Sequence, residues 1–477
     1  MDMENSSNMK NRWVILFVVV MVTFMATLDS SIVNVALPVM AKALKVTSAG
    51  IQVVVTSYLI IISATILVFG RLGDIHGKTK VFKFGIALFT FGSLFCGITS
   101  SLVFLVLARV IQAIGAAAAM ANSQGIITHV FPANERGKAL GIIGTFVALG
   151  ALVGPPLGGF IVDATSWEYI FLINVPIGLI TFFYGLKILP KSHKTEKVKF
   201  DGLGCVLFML AIVPLFAALG QGEEVGFTSP IILAGFLISI ISFTLFIVVE
   251  RNLENPLLQL KIFKNKLFTL SIFCGFISFV AMFCSTIIQP FYLQDVMKFS
   301  PSTTGLILMV FPIILAVVAP ISGHLSDKIG SEILTLIGLV LISLGLLLMS
   351  NLNEKSSITS MVFFIGVMSL GSGLFQAPNN SLVMSTVPKD KLGIAGSVNA
   401  LVRNVGMVCG IALSTTLLYN RISYKIGYNV TDYVVGRNDA FIYGMRIVYI
   451  TAAIICIFGA ILTSLRLFRN KSKLVNI

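Results

Sequence analysis

Fourteen long apolar segments restrict how this chain can fold. Of its 477 residues, 56% are hydrophobic and 11% are charged, so no water-soluble packing could hide the apolar surface. Each segment has about 20 residues, enough for a helix to cross about 30 Å of hydrocarbon. We expect an all-α polytopic membrane protein with fourteen transmembrane helices. The segments run over 13–39, 51–69, 81–99, 102–127, 139–161, 168–188, 202–220, 230–249, 267–293, 304–322, 333–350, 358–378, 394–418 and 441–465.

The positions of lysine and arginine predict the orientation. Of 34 such residues, 24 fall at the termini and on the loops of one side, 7 fall on the opposite loops, and Arg109, Arg403 and Arg446 lie within segments. Positively charged loops stay in the cytoplasm. We therefore expect a multi-pass protein of the plasma membrane with both termini cytoplasmic. Orientation also accounts for the net charge of +14, so no nucleic-acid partner is expected.

A motif repeated at long range predicts two related halves. Gly-x-Leu-x-Asp-x-x-Gly begins at Gly70 and recurs 253 residues later at Gly323. Further matches continue downstream at an offset of 256. The two copies follow the second and tenth segments, so they are eight segments apart. A plain duplication of six helices would place them six segments apart, which leaves two helices to be explained by an insertion. We therefore predict an N-terminal six-helix bundle over 1–190, a cytoplasmic linker with two inserted helices over 191–255, and a C-terminal six-helix bundle over 256–477.

These features together resemble the major facilitator superfamily and, within it, the fourteen-span drug:proton antiporters. The motifs that carry the resemblance are Gly70-Arg-Leu-Gly-Asp-Ile-His-Gly-Lys-Thr-Lys80, Leu28-Asp-Ser-Ser-Ile-Val-Asn-Val-Ala-Leu-Pro38, Arg109-Val-Ile-Gln-Ala-Ile-Gly115, Gly150-Ala-Leu-Val-Gly-Pro-Pro-Leu-Gly-Gly159 and Phe171-Leu-Ile-Asn-Val-Pro-Ile-Gly178.

The resemblance implies a two-bundle fold that exports amphipathic drugs, cationic or neutral, in exchange for protons by alternating access. The expected partners are such small molecules, protons and the lipid bilayer, and we expect a monomer. No phosphate-binding loop or metal-ligand spacing is visible, so no cofactor, metal or enzymatic activity is expected. The alternatives are a carrier dedicated to one metabolite, whether exporter or importer, and a membrane enzyme or sensor on a transporter-like body.

Asp29 is the carboxylate placed deepest in a predicted helix. A charge in hydrocarbon costs at least about 2.5–3.5 kcal/mol, so such a residue should face a water-filled cavity or be neutral. It is a candidate proton carrier, although it could instead brace a neighbouring helix. Arg109 and Gln112 lie three residues apart, on one helix face. The resemblance implies that this arginine helps proton transfer, whereas a structural arginine bonded to backbone carbonyls is the alternative.

The fifth segment carries a seam of small residues, namely Gly150, Gly154, Gly158 and Gly159, together with Pro155 and Pro156. Such a seam lets a neighbouring helix approach closely, and the prolines predict a kink. The resemblance implies that this is the antiporter motif, acting as a hinge or leak seal. Close packing alone is the alternative.

The repeated turn motif predicts a conformational gate. Its residues are Gly70, Asp74, Gly77 and Lys78 in the first copy, and Gly323, Asp327 and Gly330 in the second. Glycines permit tight cytoplasmic turns, and the carboxylates can accept from exposed helix N–H groups. The first copy departs from the family pattern at Ile75, where an arginine is common.

Polar residues within the apolar segments are candidates for the substrate cavity, which is expected between the two halves. The set comprises Asn34, Tyr58, Gln112, Gln289, Asn399 and Arg403. No acidic residue falls in the predicted cores of the ninth to fourteenth segments. A single carboxylate within the membrane therefore favours monovalent cations, neutral compounds or zwitterions over divalent cations as substrates.

Overall fold

A computed structural model describes residues 11–190, 201–253, 258, 260–388 and 392–475. Within these ranges it contains fourteen helices that are long and apolar enough to cross a membrane, so the predicted number of spans is confirmed. Residues 191–200, the first part of the predicted cytoplasmic linker, lie outside the described residues. In chain order the helices are α1 (Arg12–Leu44), α2 (Val53–His76), α3 (Lys78–Ile98), α4 (Leu102–Val130), α5 (Ala133–Ala164), α6 (Tyr169–Leu172 and Asn174–Ile188), α7 (Gly202–Val225), α8 (Pro230–Asn252), α9 (Lys266–Phe291), α10 (Pro301–Leu308 and Val310–Ile329), α11 (Ser331–Met349), α12 (Ile358–Ser385), α13 (Leu392–Ile426) and α14 (Asn438–Val475).

The ninth span extends further than its hydropathy predicts. A π-helical turn, Tyr292–Val296, continues α9 beyond residue 293. This turn carries Asp295, whose side chain is only 3% exposed. The predicted core of the ninth segment, 267–293, contains no acidic residue, but the span itself continues past that apolar run and includes Asp295.

The chain divides into two compact units. The first comprises Met1–Lys45 and Val53–Leu258, and the second comprises Val46–Gln52 and Gln259–Ile477. The two inserted helices fall in the first unit, where α7 packs against both α2 and α8. Ser239 of α8 donates from Oγ to the backbone oxygen of Ala211 at 2.5 Å. The proposed chain boundaries at 190 and 255 stay a prediction.

The sequence repeat is visible in how helices pack within each unit. A methyl group on Gly85 of α3 would lie 2.7 Å from the backbone oxygen of Gly115 in α4. In the second unit, a methyl group on Gly338 of α11 would lie 2.8 Å from the backbone oxygen of Gly371 in α12. Gly338 follows Gly85 by 253 residues and Gly371 follows Gly115 by 256, which are the two offsets of the sequence repeat. Glycine is needed at these positions because the helix backbones are in direct contact.

The turn between α2 and α3 depends on a second use of glycine. Gly77 has φ +98° and ψ +125°, a conformation that residues with a Cβ rarely adopt. Gly330, at the equivalent turn between α10 and α11, has φ +92°. Both glycines that close the repeated motif are therefore required by backbone geometry.

Replacing Gly77 with alanine should lower the melting temperature of the purified protein, since such a backbone conformation costs a non-glycine residue about 1–3 kcal/mol. Gly70→Ala is the matched control, because its new methyl group would meet only the Ala121 Cβ at 4.0 Å in an ordinary helix. Thermal unfolding in detergent measures both. An equal melting temperature for the two variants would contradict the backbone argument.

Candidate functional site

A cluster of buried polar side chains lies among α1, α3, α4 and α6 of the first unit. Its members are Asp29, Ser93, Arg109, Gln112 and Asn174, and each side chain is at most 1% exposed. We call it the Asp29 cluster. Buried polar groups are tolerated when they are hydrogen-bonded to one another, and these side chains meet that requirement closely.

The Asp29 carboxylate accepts hydrogen bonds from three side chains of the cluster, two on α4 and one on α6. Arg109 donates from Nη1 to Oδ2 at 2.5 Å, forming a buried ion pair. Gln112 donates from Nε2 to Oδ1 at 2.8 Å, and Asn174 donates from Nδ2 to the same oxygen at 3.1 Å. The predicted proton-coupling residues Asp29 and Arg109 are thus brought into direct contact.

Arg109 is fixed by further contacts. Its Nη1 also donates to Gln112 Oε1 at 2.6 Å, and its Nε donates to the backbone oxygen of Val54 at 3.1 Å. The guanidinium lies over the ring of Tyr58, 4.1 Å from its centroid, which adds a cation–π contact. The bond to Val54 is of the kind expected for a structural arginine, whereas the role of Arg109 in proton transfer stays a prediction.

Gln112 connects the ion pair to α3. Its Nε2 donates to Ser93 Oγ at 2.8 Å, and Ser93 in turn donates to the backbone oxygen of Phe89. A methyl group on Gly92 would lie 2.5 Å from the backbone nitrogen of Gln112. The glycine therefore lets α3 approach closely enough for Ser93 to reach the glutamine.

Two polar atoms of this region have no hydrogen-bond partner among the described residues. They are the Tyr58 hydroxyl and the Asn174 Oδ1, and both are buried. The Tyr58 hydroxyl can donate or accept a hydrogen bond, and the Asn174 oxygen can accept one. Both atoms can therefore form new hydrogen bonds if the ion pair rearranges.

The glycine seam of α5 packs against the turns of α1 that flank Asp29. A methyl group on Gly150 would lie 2.9 Å from the backbone oxygen of Phe24, and one on Gly158 would lie 2.8 Å from that of Ile32. Ser31 donates from Oγ to the backbone oxygen of Gly150 at 3.0 Å. Gly154 and Gly159 are also buried, and α5 is continuous through Pro155 and Pro156.

The first copy of the gating motif lies at the end of α2 and in the α2–α3 turn. Lys78 and Asp74 form an ion pair at 3.0 Å, and both side chains are more than 40% exposed. Gly70 lies near Ala121 of α4, and Gly323 lies near Ala377 of α12 in the matching arrangement. The side chain of Asp327 lies outside the described part of the chain.

The six predicted cavity residues are divided between the two units, three in each, and their assignment to a substrate cavity stays a prediction. Tyr58 and Gln112 belong to the Asp29 region, and Asn34 is buried elsewhere on α1. Gln289 donates from Nε2 to Ser285 Oγ at 2.5 Å inside the second unit. Asn399 and Arg403 line one cavity of the second unit.

Sequence reasoning missed two members of the Asp29 cluster. Asn174 occurs within a motif quoted for the family resemblance, yet that motif gave no role for its side chain. Ser93 gave no signal, because serine is common in transmembrane helices and often bonds to its own backbone. Among the described residues, no group of three histidine, cysteine or acidic side chains is arranged to hold a metal ion.

Comparisons with known proteins agree with this architecture. The sequence profile of the Major Facilitator Superfamily matches residues 19–411 and, in a second match, 271–477. The riboflavin transporter RibZ of Clostridioides difficile is 35% identical over 462 residues, covering 95% of this chain and 97% of that protein. The multidrug resistance protein Stp of Mycobacterium tuberculosis is 33% identical over 396 residues, covering 83% of this chain and 74% of that protein.

A solved structure shares the fold at low sequence identity. A POT family transporter in complex with 5-aminolevulinic acid has a TM-score of 0.69 and 15% identity, covering 94% of this chain and 96% of that one. The profile match, the two relatives and the fourteen spans support the same assignment. The chain therefore belongs to the major facilitator superfamily.

Proposed function

We infer that this protein is a secondary active transporter and not an enzyme, and that it exports amphipathic small molecules, including drugs, in exchange for protons by alternating access. The observation that carries the proposal is the ion pair between Asp29 and Arg109, fully buried between α1 and α4. A charged pair at membrane depth is costly and marks a functional site more often than a structural one.

The ion pair supplies a means of coupling a proton to conformation. Adding a proton to Asp29 removes the counter-ion of Arg109 and leaves the guanidinium buried and unpaired. Breaking a buried pair in this way costs about 3–5 kcal/mol. A conformational equilibrium moves from 1:99 to 99:1 for about 5.5 kcal/mol, so a single protonation would supply much of a switch between two states.

The cluster favours neutral over cationic substrates at this position. Asp29 and Arg109 together carry no net charge, so a cationic drug finds no uncompensated carboxylate there. The expectation of cationic substrates considered Asp29 by itself. With Arg109 in contact at 2.5 Å, that expectation loses its physical basis at this site.

The proposed setting is the plasma membrane, with both termini cytoplasmic and the protein acting as a monomer. The lysine and arginine distribution supports this orientation. Substrates would enter from the cytoplasm or the inner leaflet, and protonation from outside would reset the carrier.

A carrier dedicated to one metabolite is the second candidate. The observation that favours it is the near end-to-end match to the riboflavin transporter, which covers 97% of that protein, whereas the match to the multidrug resistance protein covers 74%. A transporter of either kind would use the same proton-coupling machinery. The breadth of the substrate range separates them.

The test is substrate-triggered proton movement in everted membrane vesicles, with a panel of neutral, anionic and cationic compounds that includes riboflavin. Proton release by several unrelated compounds supports multidrug antiport, and a response to riboflavin alone supports the second candidate. We expect Asp29→Asn to abolish the signal and Asp439→Asn, whose ion pair with Arg437 is half-exposed, to retain it. No proton signal from wild-type protein that moves substrate would overturn proton coupling.

A further inference from the structure

A second polar site lies within the second unit, among α9, α12 and α13. It is a cavity of about 50 Å³. One water molecule needs only about 10–15 Å³ of such space, so the cavity holds a few waters or a group the size of a carboxylate rather than a whole drug. Its lining consists of two aromatic rings, four amides and one guanidinium: Phe279, Phe375, Gln376, Asn379, Asn380, Asn399 and Arg403.

The guanidinium in this cavity has no counter-ion among the described residues. Arg403 Nε is buried and makes no hydrogen bond there. By contrast, Arg466 of the same unit pairs with Glu332 at 3.0 Å. Arg403 also lies within the apolar part of its helix, Val398–Ile426. An unpaired cation at that depth is expensive and therefore calls for an anionic ligand.

The amides leave hydrogen-bonding capacity beside Arg403. Asn399 donates from Nδ2 to Asn380 Oδ1 at 2.9 Å, which fixes that pair. Gln376 Nε2 has only the Met282 sulfur at 3.5 Å, a weak acceptor. The Gln376 amide can therefore donate to a ligand oxygen at small cost.

The internal repeat shows that the fold does not require these polar groups. At the offset of 256, the first-half counterparts of Gln376, Asn399 and Arg403 are Met120, Ile143 and Val147. All three are apolar, although α4 and α5 have the same glycine register as α12 and α13. Conversely, Arg109 and Gln112 correspond to Ile365 and Met368. The buried arginine of each site, Arg109 in the first half and Arg403 in the second, thus has an apolar counterpart in the other half.

We propose that this cavity binds the carboxylate head group of amphipathic aromatic substrates, with Arg403 pairing to the carboxylate and Gln376 donating to it. The proposal rests on the transport function proposed above and names its substrate class. A guanidinium and a carboxylate match in charge and in planar geometry. Phe279 and Phe375 border the same cavity and offer apolar surface for the adjoining ring.

The test measures equilibrium binding to the full-length protein in phosphatidylcholine nanodiscs at pH 7. The probes are tritiated 2-naphthoate, the uncharged 2-naphthamide and cationic 2-naphthylmethylamine, which share one ring system. We expect naphthoate to bind at least tenfold more tightly than naphthamide, and naphthylmethylamine more weakly than both. Arg403→Gln should abolish the preference for naphthoate over naphthamide, and a wild-type size-exclusion profile and melting temperature report that this variant is folded.

Two further variants make the result specific. Arg403→Lys should keep a reduced preference, because it retains the charge without the planar fork. Arg421→Gln, a matched change on the same helix but outside the cavity, should behave like wild type. Equal binding of naphthoate and naphthamide, binding of neither, or a preference that survives in Arg403→Gln would overturn the proposal. Because no proton gradient is present, a failure of proton coupling would leave this binding result intact.

Discussion

Replacing Asp29 with alanine is expected to destabilise the folded protein by about 3–5 kcal/mol, since the Arg109 guanidinium would remain buried without its counter-ion. Both side chains are at most 1% exposed, so solvent cannot compensate. Arg109→Ala should have a similar effect, because it leaves the carboxylate unpaired. The measurement is the midpoint of thermal or denaturant unfolding of purified protein. Asp74→Ala is the matched control, and its exposed pair should contribute no more than about 1 kcal/mol.

The double variant Asp29→Asn/Arg109→Gln separates stability from coupling. It removes both charges together and keeps amide groups that can donate and accept within the cluster, so it should recover most of the stability lost in either alanine variant. We expect it to bind substrate and to show no substrate-triggered proton movement. Proton movement at the wild-type level in this variant would mean that the ion pair only braces α1 against α4.

The number of spans was predictable because bilayer physics leaves few options. A segment that crosses hydrocarbon must be apolar and about 20 residues long, so hydropathy by itself locates it. The ends of the helices were less predictable. Helix α5 begins at Ala133 rather than near 139, and α14 continues to Val475 rather than 465. These helices extend past the apolar region, where hydropathy no longer reports on the backbone.

The centre of the Asp29 cluster was predictable for a related reason. A charge within a membrane helix is rare enough that Asp29 and Arg109 are noticed individually. Their contact at 2.5 Å was not predictable, because one sequence gives no rotation of α1 relative to α4. Ser93 and Asn174 were missed since small polar side chains are common in such helices. That Gln376 and Asn399 border the same cavity as Arg403 likewise depends on packing that the sequence pattern does not encode.

A substitution in the glycine seam of α5 is expected to lower both the stability of the protein and its transport rate. A methyl group on Gly158 would lie 2.8 Å from the backbone oxygen of Ile32, so Gly158→Ala must push α5 away from α1 by a few tenths of an ångström. Such overpacking costs about 1–3 kcal/mol. Because the displaced turns of α1 flank Asp29, we expect the folded fraction to lose at least tenfold in substrate-driven proton movement as well.

Gly144→Ala on the same helix is the matched control, since nothing lies within 4 Å of its new methyl group. Alanine there should leave transport unchanged and raise the melting temperature slightly, because glycine within a helix is unfavourable by about 0.5–1 kcal/mol. Transport rates are compared per folded molecule, counted by fluorescence-detected size-exclusion chromatography. If Gly158→Ala lowers the melting temperature and keeps the wild-type rate per folded molecule, the seam serves packing alone. A lowered rate per folded molecule supports the interpretation that α1 moves along this seam during transport. Helices packed this closely have no free space between them, so one added methyl group should hinder that movement.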